Sequence, residues 1–199
     1  MNEAIFIDLG GVYFRSAMPG INGFSKKYNI PRDTLYNVLM GENWTRYSTG
    51  KSNEKDYWMN ISKNLGITLQ QAYELRNDWY SYFIPNNNMP NLIRELRRNF
   101  YVAILSSQVV GWVEFLEKRY SLSKEFSSSH YSYDYGIDKP DAMLFIQAAK
   151  SIHTEPENCI VVDDNKKFLL AVKKTGAKTI LFKSASQLKI ELKKLGIKT

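Results

Sequence analysis

Three continuous apolar runs in this 199-residue chain each stop at a cluster of polar side chains. Residues 4–7 (Ala-Ile-Phe-Ile) end at Asp8, which precedes Leu9-Gly10-Gly11-Val12. Residues 101–105 end at Ser106-Ser107, and residues 158–162 end at Asp163-Asp164. A short run that is apolar throughout, without alternation, reads as a strand buried on both faces, as in the middle of a parallel sheet. Helical spacing follows. Ala142, Phe145, Ile146, Ala149 and Ile152 come after Gly136-Ile137-Asp138-Lys139-Pro140-Asp141; Phe168, Leu169 and Val172 come after Asp164, with Gly176 as a stop. Alternating strands and helices predict an α/β fold, a parallel sheet flanked by helices. Ligands of such sheets bind beyond the carboxyl ends of the strands. Asp8, Ser106, Lys139 and the Asp163-Asp164 pair are therefore expected to converge on one crevice.

Each cluster has an ordinary explanation when taken alone. Asp before glycines is common turn chemistry, a lysine before a helix is usually a surface residue, and an Asp pair can be a helix N-cap. Taken together and in order, Ile-Phe-Ile-Asp8-Leu-Gly-Gly-Val, Ile-Leu-Ser106, Gly-Ile-Asp-Lys139-Pro-Asp and Val-Val-Asp163-Asp164 resemble the four motifs of the haloacid dehalogenase (HAD) superfamily. The resemblance runs from the first strand to Thr-Ile-Leu-Phe at residues 179–182. It implies a Rossmann-like core and a magnesium-dependent hydrolase that removes phosphate from a small phosphorylated metabolite, with sugar phosphates among the candidates. In that scheme Asp8 is the nucleophile and forms an aspartyl-phosphate. Ser106 hydrogen-bonds the phosphoryl group, and Lys139 neutralises it and keeps Asp8 ionised. Asp8, the backbone carbonyl of Gly10, Asp164 and Asp163 hold Mg2+, while Gly10, Gly11, Ser107 and Arg15 face the substrate.

Three positions depart from the family pattern. Gly10 replaces the second Asp that usually serves as general acid and base, Ser107 replaces a frequent Asn, and Phe168 replaces an Asn or Asp that supports the metal site. A metal-free dehalogenase also lacks the second Asp, so Gly10 keeps that alternative open. A catalytically weak HAD-fold binding or regulatory protein is the other alternative.

Residues 14–85 are read as a helical cap inserted after the first strand, with 1–13 and 86–199 forming the core. Helical character runs over 21–28, 31–40, 53–65 and 68–84, with a further helix over 90–99. Ile84-Pro85-Asn86-Asn87-Asn88 breaks the pattern. The cap is rich in aromatic residues, among them Tyr36, Trp44, Trp79 and Phe83. Most are expected to fill its own core, with one or two stacking on substrate. Arg15, Asn43 and Arg46 are its candidate polar substrate contacts.

Net charge is +7. The C-terminal lysines suit the solvated faces of two helices, and their field would attract anionic substrates. No zinc-finger, RNA-recognition or helix-turn-helix signature accompanies them, so no nucleic-acid partner is expected. Cys159 is the single cysteine, which excludes an internal disulfide and a thiolate metal cluster. No apolar run reaches membrane-spanning length and residues 1–20 lack a secretory pattern, so a cytoplasmic protein is expected. A homodimer is compatible with this reading.

Overall fold

The computed structural model describes residues 4–197. Five strands form one parallel sheet in the order β3-β2-β1-β4-β5: β1 Ala4–Ile7, β2 Tyr101–Ser106, β3 Ser128–Tyr131, β4 Cys159–Asp163 and β5 Lys178–Leu181. Between β1 and β2 come α1 Met18–Tyr28, α2 Arg32–Met40, α3 Glu42–Ser48, α4 Glu54–Leu65 and α5 Leu69–Ser81. Next, α6 Met89–Leu96 leads into β2. Helix α7 (Val110–Tyr120) and the short α8 (Leu122–Glu125) join β2 to β3, and α9 Ser132–Tyr135 and α10 Met143–Ser151 join β3 to β4. The last two are α11 Lys166–Lys173, before β5, and α12 Ala185–Lys194, after it.

The strands alternate their side chains between two cores, as the two-residue period of a strand requires. Ile5, Ile7, Val102, Ile104, Ile160 and Val162 pack on one side, with the helices of the insert and with Leu92, Trp112 and Leu188. Phe6, Ala103, Leu105, Cys159 and Val161 pack on the other, against Leu144, Phe145 and Ala148 of α10 and Phe168, Leu169 and Val172 of α11. Both faces are covered, which is why these strands read as unbroken apolar runs.

Register delivers the polar clusters to one edge. Ile7 is level with Ile104 of β2 and Val162 of β4, so the next residue, Asp8, emerges beside Leu105-Ser106 and Asp163. The chain passes from β1 to β2 and β3 on one side, then crosses to β4 and β5 on the other. Asp8 and Asp163 thus flank the point where the connections diverge and open a crevice.

The insert leaves and rejoins the sheet at neighbouring points. Phe14 bridges Pro85 in antiparallel fashion, Arg15 N–H donates to Ile84 O at 2.9 Å and Asn86 N–H to Tyr13 O at 2.8 Å. The Asn86 amide also donates to the carbonyls of Val12 and Phe14. Helices α4 and α5 start on side-chain caps, Asn53 and the Thr68–Gln71 capping box, and Gly66 ends α4 in the left-handed region at φ 65°.

Several elements differ from the sequence expectation. Helix α3 occupies residues placed between helices, because Gly41 closes α2 and opens α3 at once. Strand β3 went unforeseen because Ser128-Ser129-His130-Tyr131 is too polar to read as a buried strand; it is an edge strand, half-buried at its start. Helix α5 also stops at Ser81 rather than residue 84.

Candidate active site

Asp8, Ser106, Lys139, Asp163 and Asp164 meet at the carboxyl ends of β1, β2 and β4 and line one cavity of about 480 Å3. The Lys139 ammonium is the hub. It donates to Asp8 Oδ1 at 2.7 Å, Asp163 Oδ2 at 2.6 Å and the Leu105 carbonyl at 2.9 Å. The ammonium also sits over the ring of Phe168, 4.9 Å from the centroid. The ammonium is buried yet keeps its proton: the two carboxylates outweigh desolvation and push its pKa upward.

Asp8 is 7% exposed. Ser106 Oγ donates to the same Oδ1 at 2.9 Å that Lys139 holds, so among the described residues Oδ2 is the oxygen left without a hydrogen bond. Burial lifts Asp8 to about 7, with Lys139 pulling down and Asp163 and Asp164 pushing up. Asp163 is engaged at both oxygens: Oδ2 takes Lys139, and Oδ1 accepts the Asn165 backbone N–H at 2.6 Å. The Asn165 side chain in turn caps α11, accepting from the N–H groups of Lys167 and Phe168.

Asp164 is open to solvent. Its pKa is raised, first by partial burial and then by Asp163. A Cβ on Gly11 would fall 2.1 Å from Asp164 Oδ2, and Gly11 has φ +84°. Glycine therefore leaves the space that this carboxylate occupies. Oxygen atoms of Asp8, Asp163 and Asp164 all lie within 4.8 Å of one another. An all-oxygen carboxylate set suits a hard divalent cation such as Mg2+. Three carboxylates converging at the ends of β1 and β4 therefore fit the ion.

The remaining expected residues divide. Gly10 and Ser107 line the cavity, and Ser107 Oγ accepts the Lys139 backbone N–H at 3.1 Å. Gly11 and Arg15 do not line it. They belong to a neighbouring cleft with Phe182 and Lys183, where Arg15 is exposed and donates to Asn87 Oδ1. Asn43 and Arg46 are also absent from the cavity wall, where Trp44 and Thr45 of the same helix stand instead. Asp138 and Gln108 also line the cavity. Asp138 Oδ2 accepts from Ser48 Oγ at 2.9 Å, tying α3 to the Lys139 loop. Trp112 lies in a helix that the sequence reading did not resolve; its position soon after Ser106 was the available signal.

A family model for haloacid dehalogenase-like hydrolases matches residues 3–176. The chain is 23% identical over 148 residues to an uncharacterized protein of Dictyostelium discoideum, covering 70% of this chain and 62% of that protein's length. The fold is similar to a HAD family enzyme of Bacteroides thetaiotaomicron, with TM-score 0.80, 15% identity, and 96% and 98% of the two chains covered. The complex of that enzyme with magnesium and inorganic phosphate aligns with TM-score 0.75 at 17% identity, over 93% and 96% of the chains. L-2-haloacid dehalogenase of Xanthobacter autotrophicus, with chloropropionic acid covalently bound, aligns with TM-score 0.67 at 16% identity, over 100% and 85%. The four motifs, their convergence on one crevice and the family match agree, and the chain belongs to the haloacid dehalogenase-like hydrolases.

Proposed function

We propose that this hydrolase is a magnesium-dependent phosphatase that acts on a small phosphorylated metabolite through a phosphorylated Asp8. The observation that carries the reading is the solvent-facing Asp164 carboxylate grouped with Asp8 and Asp163. An aspartate that attacks carbon needs at most one further carboxylate, to activate the water that hydrolyses its ester. An aspartate that attacks a phosphoryl group needs a cation against the accumulated negative charge. The magnesium and phosphate held by the Bacteroides enzyme are in keeping with this.

The roles follow from the hydrogen bonds. Lys139 and Ser106 fix Asp8 Oδ1, and Oδ2 is the oxygen that attacks. Asp8 attacks phosphorus, the bond from phosphorus to the leaving oxygen breaks, and an acyl phosphate remains. Water then attacks phosphorus, releasing phosphate and restoring the carboxylate. Asp8, Asp164 and the Gly10 carbonyl would hold Mg2+. Asp163, already bound at both oxygens, anchors Lys139 and contributes through water. Once bound, the ion screens the phosphoryl oxygens from the attacking carboxylate. Residues 14–85 act as the cap that shapes the organic side of the site.

Gly10 favours one other reading, a dehalogenase-type hydrolase without metal, because attack on carbon expels halide, which needs no acid at that position. Phosphate release from a panel of phosphate esters, with and without chelator, separates them. Release that stops on chelation supports the phosphatase. No release from any ester with magnesium present overturns it.

A further inference from the structure

Phosphoryl chemistry explains one wall of the cavity and leaves the other unexplained. The same cavity is also lined by Trp44, Trp79, Phe83 and Trp112, all buried, with half-buried Met18 and Met40. Trp112, from α7, is the centre of this wall. Its ring lies 5.0 Å from Trp44, 5.6 Å from Trp79 and 4.8 Å from Phe83, centroid to centroid. Three of the chain's four tryptophans therefore bound one cavity.

Polar groups are scarce there. Ser16, Tyr36 and Thr45 are exposed and stand at the rim. Away from the acids and Lys139, Gln108 is the buried polar side chain of this wall. Its backbone is clamped by Ser132, whose Oγ accepts the Gln108 N–H and donates to the Gln108 carbonyl. Its side-chain Oε1 and the Trp79 indole Nε1 are both sealed without a partner among the described residues. A sugar carries hydroxyls on every side, and each one buried against indole without a partner opposes binding. Indole and methionine surfaces instead favour rings and hydrocarbon, and a volume of this size holds a small organic molecule.

Resting on the phosphatase reading, we infer that the substrate is a phosphate monoester whose organic group is apolar, an aromatic ring or branched hydrocarbon.

The test compares 2-phenylethyl phosphate with glucose 6-phosphate, using the wild-type protein with magnesium. Both release a primary alcohol, so leaving-group chemistry is matched and the wall alone decides. The phenylethyl ester should show kcat/KM higher by at least about 10-fold, a modest return for burying one ring. Acetyl phosphate, too small to reach the wall, reports phosphoryl transfer itself. If acetyl phosphate is hydrolysed and the sugar ester equals or exceeds the phenylethyl ester, the inference is wrong and the phosphatase reading stands. If none of the three is hydrolysed, both fall. As a second measurement, 2-phenylethanol should perturb tryptophan emission saturably and glucose should not; the reverse order overturns the inference.

Discussion

The ammonium of Lys139 rests on the ring face of Phe168, 4.9 Å from its centroid, while its three hydrogen bonds go to Asp8, Asp163 and the Leu105 carbonyl. The position where the family often places a metal-supporting amide or acid is thus an aromatic floor under the lysine. A desolvated cation over a ring gains about 0.5–2 kcal/mol. Phe168→Leu removes part of a fully buried ring, at a stability cost of about 1–3 kcal/mol. It should lower kcat about 2- to 30-fold, the rate equivalent of the lost contact. Unchanged kcat in a variant with lowered thermal stability would assign the ring to packing alone.

Gly11 and Asp164 share one space, so a methyl group at Gly11 should act on the metal. Gly11→Ala forces a side chain into φ +84°, which costs about 1–2 kcal/mol, and pushes the Asp164 carboxylate aside. Magnesium that binds only the native state raises thermal stability. That rise should be present in wild type and lost in both Gly11→Ala and Asp164→Ala. An intact magnesium-induced shift in soluble Asp164→Ala would remove Asp164 from the ligand set.

His130 supplies a pH dependence separate from the site. Its ring nitrogens meet Ser128 Oγ and Tyr135 OH, both at 2.8 Å, and Phe6 packs at one side. Burial lowers its pKa below the ordinary value. The unfolded chain therefore binds more protons near pH 6, and the stability present above about pH 6.5 should fall as pH drops below it. Denaturant titrations from pH 5 to 8 should show a shallower acid-side loss in His130→Gln than in wild type. Parallel profiles would mean that other groups set the decline.

Gly10 bears on the leaving group. With no acid beside the nucleophile to protonate the departing oxygen, phenyl and acyl phosphates should be hydrolysed faster than esters of primary alcohols. General acid assistance is typically worth about 10²–10⁴-fold. A Cβ at Gly10 meets nothing within 4 Å, so Gly10→Asp can be accommodated. It should raise activity mainly on poor leaving groups and flatten the dependence on leaving-group pKa. An unchanged slope would point to another proton donor.

Much of this site was legible in the sequence because its residues sit at the ends of strands buried on both faces. Such strands read as unbroken apolar runs, and the residue that ends each run stands out. Asp8, Ser106 and Asp163 were visible for that reason. Strand β3 was not, because an edge strand needs only one apolar face. The cavity wall was not legible either. Asn43 and Arg46 looked like contacts by their chemistry, whereas the turn of α3 presents Trp44 and Thr45. Which side of a helix faces a cavity is set by tertiary packing, and the Ser48–Asp138 hydrogen bond that helps orient α3 joins residues 90 positions apart.

The central claim is that Asp8 attacks phosphorus rather than carbon, and water enriched in oxygen-18 tests it most directly. Wild-type protein is allowed many turnovers of phenyl phosphate with magnesium in labelled water, followed by mass analysis of the phosphate and of the peptide containing Asp8. If water attacks phosphorus in the acyl phosphate, the heavy oxygen leaves in phosphate and Asp8 stays unlabelled, and Asp8→Asn is inactive. Heavy oxygen retained in the Asp8 carboxylate, or turnover by Asp8→Asn, would contradict the account.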